Sequence, residues 1–300
     1  DLDYGKSSPM KQRHLMSHRL RRLQKNGSLL ALPTIAWLVI FFVLPLLIVL
    51  VVSFMSRGRG GVGQMPFTPE HYERTFGVFF IILQRSIGLA ALTTIVCLLV
   101  GYPLAFFIAT RRRRLVQQIS LFLVILPFWT NFLIRTYAWR ILLGEEGTIN
   151  GILTGLGLVS EPLSLLNTQF AVLVGLVYGF LPFMALPIFA SVERFNFRYV
   201  DAAHDLGAND VRTFLRVVLP LTLPGVLAGC ALVFIPSVGA FVTPDLLGGT
   251  KGLMIGNLIN KQFGGSGNMP LGSALSIVMM ALVMISLLVY VFANRRDARA

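Results

Sequence analysis

The chain alternates long apolar stretches with short charged ones. Residues 26–56, 86–110, 115–134, 162–192, 217–244 and 262–294 contain no Asp, Glu, Lys or Arg. Each window reaches the roughly 20 residues that a helix needs to cross hydrocarbon about 30 Å thick. Residues 147–160 are also uncharged, but they are too few and too rich in Gly, and read as an interfacial or external segment. The pattern predicts an all-α integral membrane protein with six transmembrane helices. Their bounds are placed at 29–54, 86–110, 116–140, 170–192, 218–243 and 271–293.

Between the fourth and fifth windows the period changes. Tyr199, Ala202, Ala203 and Leu206 recur at i, i+3, i+4 and i+7, which makes one face of a short helix. Gly207 follows, and glycine ends a helix cheaply in the left-handed region. Asn209 can cap a second helix, with Val211, Phe214, Leu215 and Val218 as its apolar face. The prediction is a bent amphipathic hairpin over 193–219, tied to a membrane helix at each end. Such a device on the water side has a soluble partner to dock.

The other connections are simpler. Residues 1–28 form a basic arm, in which Ser17 to Lys25 can lie on headgroups as an amphipathic helix. After the first span comes a Gly-rich external stretch and then F-T-P-E-H-Y, a turn into a short helix. The second span stops at Arg111–Arg114. Residues 246–269 read as a Gly-rich external loop, and 295–300 as a short tail. Prolines 33, 45, 103, 127, 182, 187, 224 and 236 fall within the spans. Their density in spans three to five argues for kinks lining a wet cavity or for moving parts.

Charge then orients the chain. Only 13% of residues are charged and 55% are hydrophobic, where a soluble domain has about a quarter charged. The net charge of +13 is not a nucleic-acid footprint. Of the 26 Lys and Arg, 18 fall in the arm, Arg111–Arg114, the 193–216 loop and the tail, and 8 on the opposite side. This asymmetry places both termini in the cytoplasm. The first apolar run is too long for a signal-peptide core, and no A-x-A site follows it. Cys97 and Cys230 sit inside spans and read as packing residues.

Candidate chemistry is sparse. The four histidines pair with no Cys or carboxylate at ligand spacing, so no metal site is predicted. No G-x4-G-K-[ST] string is present, and no run of intramembrane carboxylates. Transport against a gradient must then draw its energy from another subunit.

Residues 201–220 read D-A-A-x3-G-x9-V-x-L-P. This string is similar to the E-A-A signature of permease subunits in ABC importers, with Asp201 in place of the usual Glu and Val217 in place of Ile. I-L-P-F-W-T-N-F-L-I-R-T-Y-A-W at 125–139, F-A-V-L-V-G-L-V-Y-G-F-L-P-F-M at 170–184 and F-I-P-S-V-G-A-F-V-T-P-D-L-L-G-G at 234–249 resemble spermidine/putrescine-type permeases. The resemblance covers about residues 30 to 293. One departure is Ala240, where that group commonly has Glu.

The resemblance implies a type I importer permease fold, in the bacterial inner membrane, and the role of the first of two permeases, the second being a different chain. It implies an ATPase dimer beneath them, which holds the ATP and Mg, and an external substrate-binding protein. It assigns ATPase coupling to Asp201, Ala202, Ala203, Leu206, Gly207, Leu219 and Pro220. Trp129, Asn131, Tyr178, Phe180, Phe241 and Asp245 lie next to helix-breaking Pro or Gly, and are the expected substrate pathway. Aromatic faces there could hold an amine. Arg135, Trp139 and Arg140 read as outer-interface anchors. Polyamine is the expected solute, with another small amine or zwitterion as the alternative. A channel or secondary carrier would leave the hairpin without a purpose, and a membrane enzyme would need His, Cys or acidic clusters in the spans.

Overall fold

The computed structural model of the protein describes residues 32–264 and 267–297. The basic arm at 1–28, its amphipathic helix and the last three residues lie outside them. The chain divides into two units, one up to Val52 and the other from Ser53.

Helix α1 (Leu32–Ser53), all but its last residue in the first unit, contains a π-helical stretch at Val39–Val43, two residues before Pro45. A proline cannot donate to the carbonyl four residues back, and the wider turn relieves the crowding its ring causes. Trp37 and Phe41 stack one turn apart, with ring centroids at 4.1 Å.

The second unit opens with an antiparallel hairpin that the apolar pattern did not announce, β1 (Met55–Arg57) and β2 (Gly63–Phe67), with a bulge after Met55. The expected short helix follows as α2 (Glu70–Phe76). Then come α3 (Phe80–Ala109), α4 (Arg114–Ile125), α5 (Phe132–Leu142), α6 (Thr148–Gly155), α7 (Gln169–Glu193), α8 (Arg198–Asp205), α9 (Asp210–Val238), α10 (Val242–Leu247), α11 (Ile255–Phe263) and α12 (Met269–Asp297). Five of the described helices are long and apolar enough to cross a membrane, and a sixth crossing is obtained if α4 and α5 count as one bent span.

That pair corrects the third predicted span. Residues 116–140 are not one helix: α4 and α5 meet at 91°. Leu126–Trp129 tightens to a 3-10 turn around Pro127, Thr130 turns extended, and Asn131 restarts the helix by accepting the Leu133 N–H on its side chain at 2.8 Å. A polar cap inside an apolar run is what makes the corner affordable, because it satisfies an end that lipid would leave bare. A second correction concerns 246–269. That segment holds the end of α10 and all of α11, whose Ile255, Asn257 and Leu258 are buried. The α12 helix runs on to Asp297, so the first residues of the expected tail extend it.

The core lies where α3, α7 and α9 meet. Cys97, Ala105 and Ile108 face Met184, Ile188 and Val192 across to Val226 and Val233. Cys97 and Cys230 are free thiols within this packing. One polar pair is embedded there: the Tyr102 and Thr222 hydroxyls bond at 2.9 Å. A buried hydroxyl needs such a partner.

Candidate functional site

The hairpin between α7 and α9 is built from two caps in series. Helix α8 ends in a Schellman motif. The Gly207 N–H donates to the His204 carbonyl at 2.8 Å and the Ala208 N–H to the Ala203 carbonyl at 3.0 Å. The motif requires φ > 0 at its turning residue, and Gly207 stands at +82°. Two residues later the Asn209 side chain accepts the Arg212 N–H at 2.9 Å and opens α9. His204 Nε2 approaches Asp210 Oδ1 at 3.2 Å across the turn, an exposed contact of small energetic weight.

What the hairpin shows to water is apolar as well as charged. Leu206 is 89% exposed, and Tyr199, Val211 and Leu215 are also exposed. Asp201 and Ala202 lie open on α8, while Ala203 is half-buried. The expected single apolar face of the second helix is split. Phe214 and Val218 turn inward, whereas Val211 and Leu215 stay out. The cause is a π-helical stretch at Phe214–Val218, two residues before Pro220. Its extra residue per turn breaks the 3.6 spacing.

Phe214 fastens the hairpin to the bundle. Its ring meets Tyr102 edge-on at 5.5 Å and Phe106 at 6.5 Å, and Phe197 reaches Phe106 at 6.5 Å. Each such pair contributes about 0.5–1.5 kcal/mol beyond the area it buries. Leu219 packs against the main core, and Pro220 takes the first turn of the α-helical stretch Leu219–Val238. The hairpin is thus in aromatic contact with α3.

The expected pathway residues separate into four places. Trp129 and Asn131 flank the α4–α5 corner: Trp129 is 78% exposed, and Asn131 spends its oxygen on the cap. Tyr178 lies edge-on to Trp139 at 5.5 Å. Phe180 packs into the core between α3 and α7, so its contacts are those of a packing residue.

Phe241 and Asp245, in contrast, are brought together by a residue the sequence reading passed over. Asn257, 2% exposed, donates from Nδ2 to the Phe241 carbonyl at 2.8 Å and to Asp245 Oδ1 at 3.5 Å. Its Oδ1 accepts the Met254 N–H at 3.2 Å. The neighbouring Gly256 permits this approach: a Cβ there would lie 2.6 Å from the Ala240 carbonyl oxygen. The Phe241 ring lines an open pocket of about 470 Å³ with Ile259, Asn260, Phe263, Ser276 and Met279. This volume is in the range of small-molecule sites. The signal for Asn257 was a polar residue in register with Ile255, Leu258 and Ile259, hidden inside a segment read as loop.

Arg135 differs from a simple interface anchor. Its guanidinium lies over Phe128 at 5.1 Å and Phe132 at 5.8 Å, and its Nε and Nη1 are buried without a hydrogen-bond partner. Among the described residues no group of three or more His, Cys, Asp or Glu is placed to hold a metal ion.

Over residues 101–299 the chain matches the family described as binding-protein-dependent transport system inner membrane component. The chain belongs to that family. It is a multi-pass inner-membrane permease component. It is 44% identical over 261 residues to the spermidine/putrescine transport system permease protein PotB of Haemophilus influenzae, covering 87% of this chain and 91% of the relative. With the protein of the same description from Escherichia coli it shares 42% over 262 residues, 87% of this chain and 95% of the other. A chain of a bacterial ABC transporter involved in the import of the acidic polysaccharide alginate has the same fold, with a TM-score of 0.70 at 18% identity, over 94% of this chain and 99% of that one. The expected type I importer permease fold is thus the observed one.

Proposed function

We propose that this chain forms half of the translocation pathway of an ATP-driven importer for polyamines. The observation that carries the coupling half of this reading is the hairpin itself. A Schellman turn fixes its shape, Leu206 projects from its apex, and Phe214 ties it to α3. A groove on an ATPase can grip the apex, and the aromatic tie delivers the motion to the spans. Asp201, in the first turn of α8, adds a negative charge where the helix dipole favours it.

The partners on this reading are a second, non-identical permease, an ATPase dimer that holds ATP and Mg, and an external substrate-binding protein. Both termini are cytoplasmic. The polyamine reading is supported by relatives named for spermidine and putrescine and by an exposed carboxylate, Asp245, beside the exposed Phe241 ring. An ammonium group gains from an aromatic face and a weak acidic site without being trapped.

Ala240 favours a second reading, a small zwitterion. It packs against the cluster of Leu89, Val172, Leu176 and Met254, an apolar surrounding with no charge to offer an ammonium. Uptake by the reconstituted complex decides between them. Radiolabelled putrescine and spermidine are expected to accumulate, and Asp245→Asn is expected to weaken their uptake. Accumulation of 4-aminobutyrate alone, with Asp245→Asn silent, would establish the zwitterion instead.

A further inference from the structure

Four consecutive arginines, Arg111–Arg114, make the turn between α3 and α4, and all four are exposed. Among the described residues the ion pairs are Arg74–Glu70 and His204–Asp210, so none involves this run. Glu193, at the end of α7, takes its hydrogen bond from Gln117 and not from an arginine. Four guanidinium groups adjacent along the chain therefore have no carboxylate partner among the described residues. Such a run of like charge favours a bound anion.

The surroundings say where that anion comes from. Leu99 and Phe107 on α3 are exposed, as are Leu115, Ile119 and Leu123 on α4. In an inner-membrane protein, an exposed apolar surface along a helix is covered by acyl chains or by a partner subunit, and the test below separates the two. The arginines sit at one end of that surface, where headgroups lie when acyl chains cover it. Arg111 lays its guanidinium over the exposed Phe107 ring at 3.6 Å, a stem buried in apolar surface with its charge at the edge. The neighbouring Phe106 turns inward to Phe197 and Phe214 of the hairpin. The arginine run thus begins on the outward side of α3, away from the aromatic tie that serves the hairpin.

We propose that Arg111–Arg114 is a binding site for anionic phospholipid headgroups. The phosphodiester supplies the missing negative charge, and the acyl chains lie along Leu115, Ile119 and Phe107. The proposal stands independently of the solute and of the coupling role.

The complete transporter, in nanodiscs of phosphatidylcholine with graded phosphatidylglycerol, provides the test. Retained lipid is counted by native mass spectrometry. Phosphatidylglycerol is expected to be enriched over phosphatidylcholine, and the enrichment is expected to fall as salt rises. Arg112→Gln, Arg113→Gln and Arg114→Gln, combined, are expected to weaken retention by about fivefold per arginine, from ~1 kcal/mol each. The corresponding triple change to Lys is expected to keep it. Should the Gln triple fail to insert, the single Arg113→Gln and the salt titration of the unaltered complex carry the same test. Unchanged enrichment in the Gln variants, no enrichment in the unaltered complex, or displacement by millimolar inorganic phosphate overturns the proposal. So does loss of the ATPase from the Gln triple with lipid retention intact, which would make the patch a protein contact.

Discussion

Asn257 donates to the Phe241 carbonyl at 2.8 Å and so fixes the backbone of a residue sixteen positions earlier. The bond joins the start of α11 to the start of α10, and the same amide leans on Asp245. Phe241 has its ring in the open pocket and its carbonyl in this bond. The same carbonyl accepts the Asp245 N–H at 3.0 Å, so Asn257 is its second hold.

Asn257→Leu keeps the volume and removes both donors. It also removes the acceptor of the buried Met254 N–H, and a buried donor left unpaired costs about 1–3 kcal/mol. The complex is expected to assemble, and the maximal uptake rate to fall at least tenfold, while stimulation of the ATPase by loaded binding protein persists. Equal uptake by the variant and the parent would show that Asn257 only stabilises α11.

At Gly207, φ of +82° forbids a β-branched side chain. Gly207→Val is expected to cost about 1–3 kcal/mol locally and to abolish uptake and stimulation of the ATPase together. Gly207→Asn, which tolerates this backbone region, is expected to retain a substantial part of both. Full stimulation in the Val variant would exclude the hairpin as the docking element.

Phe214→Ala removes the tie to Tyr102 and Phe106 but leaves the apex intact. The expected phenotype is uncoupling: ATP is hydrolysed on addition of loaded binding protein, and uptake drops several-fold. A loss of about 2–3 kcal/mol in stability accompanies it, less than for a fully buried Phe because the ring is half-buried. If hydrolysis and uptake fall in proportion, the tie is not the transmission element.

Orientation is checked by reporters. Fusions near Gln64, Thr154 and Asn260 are expected outside, and near Arg113, Asp205 and Arg299 inside. An external Asp205 would remove the hairpin from any cytoplasmic ATPase.

The apolar windows made the spanning helices legible, because hydrocarbon imposes length and composition directly. The α8 turn was equally legible, since Gly207 is the residue its backbone geometry selects. The α4–α5 corner was half legible: Pro127 announced a disturbance, but the 91° bend also needs Thr130 and the Asn131 cap. Val211 and Phe214 share a face only at the 3.6 spacing, which the π turn at Phe214–Val218 does not follow. Asn257 escaped notice because nearby glycines suggested a loop, whereas Gly256 is there to let α11 approach the backbone at Ala240.

Two wide turns, at Val39–Val43 and Phe214–Val218, each precede a proline by two residues. A wide turn holds one residue more than the helix needs, so it stores slack. Tightening it would lengthen the rod by about 1.5 Å and twist everything upstream by roughly 100°. In α9 the part upstream is the second arm of the hairpin, and Pro220 lies just beyond the wide turn on the other side. A pull on the apex can then be taken up as a screw motion within a single helix, without breaking it.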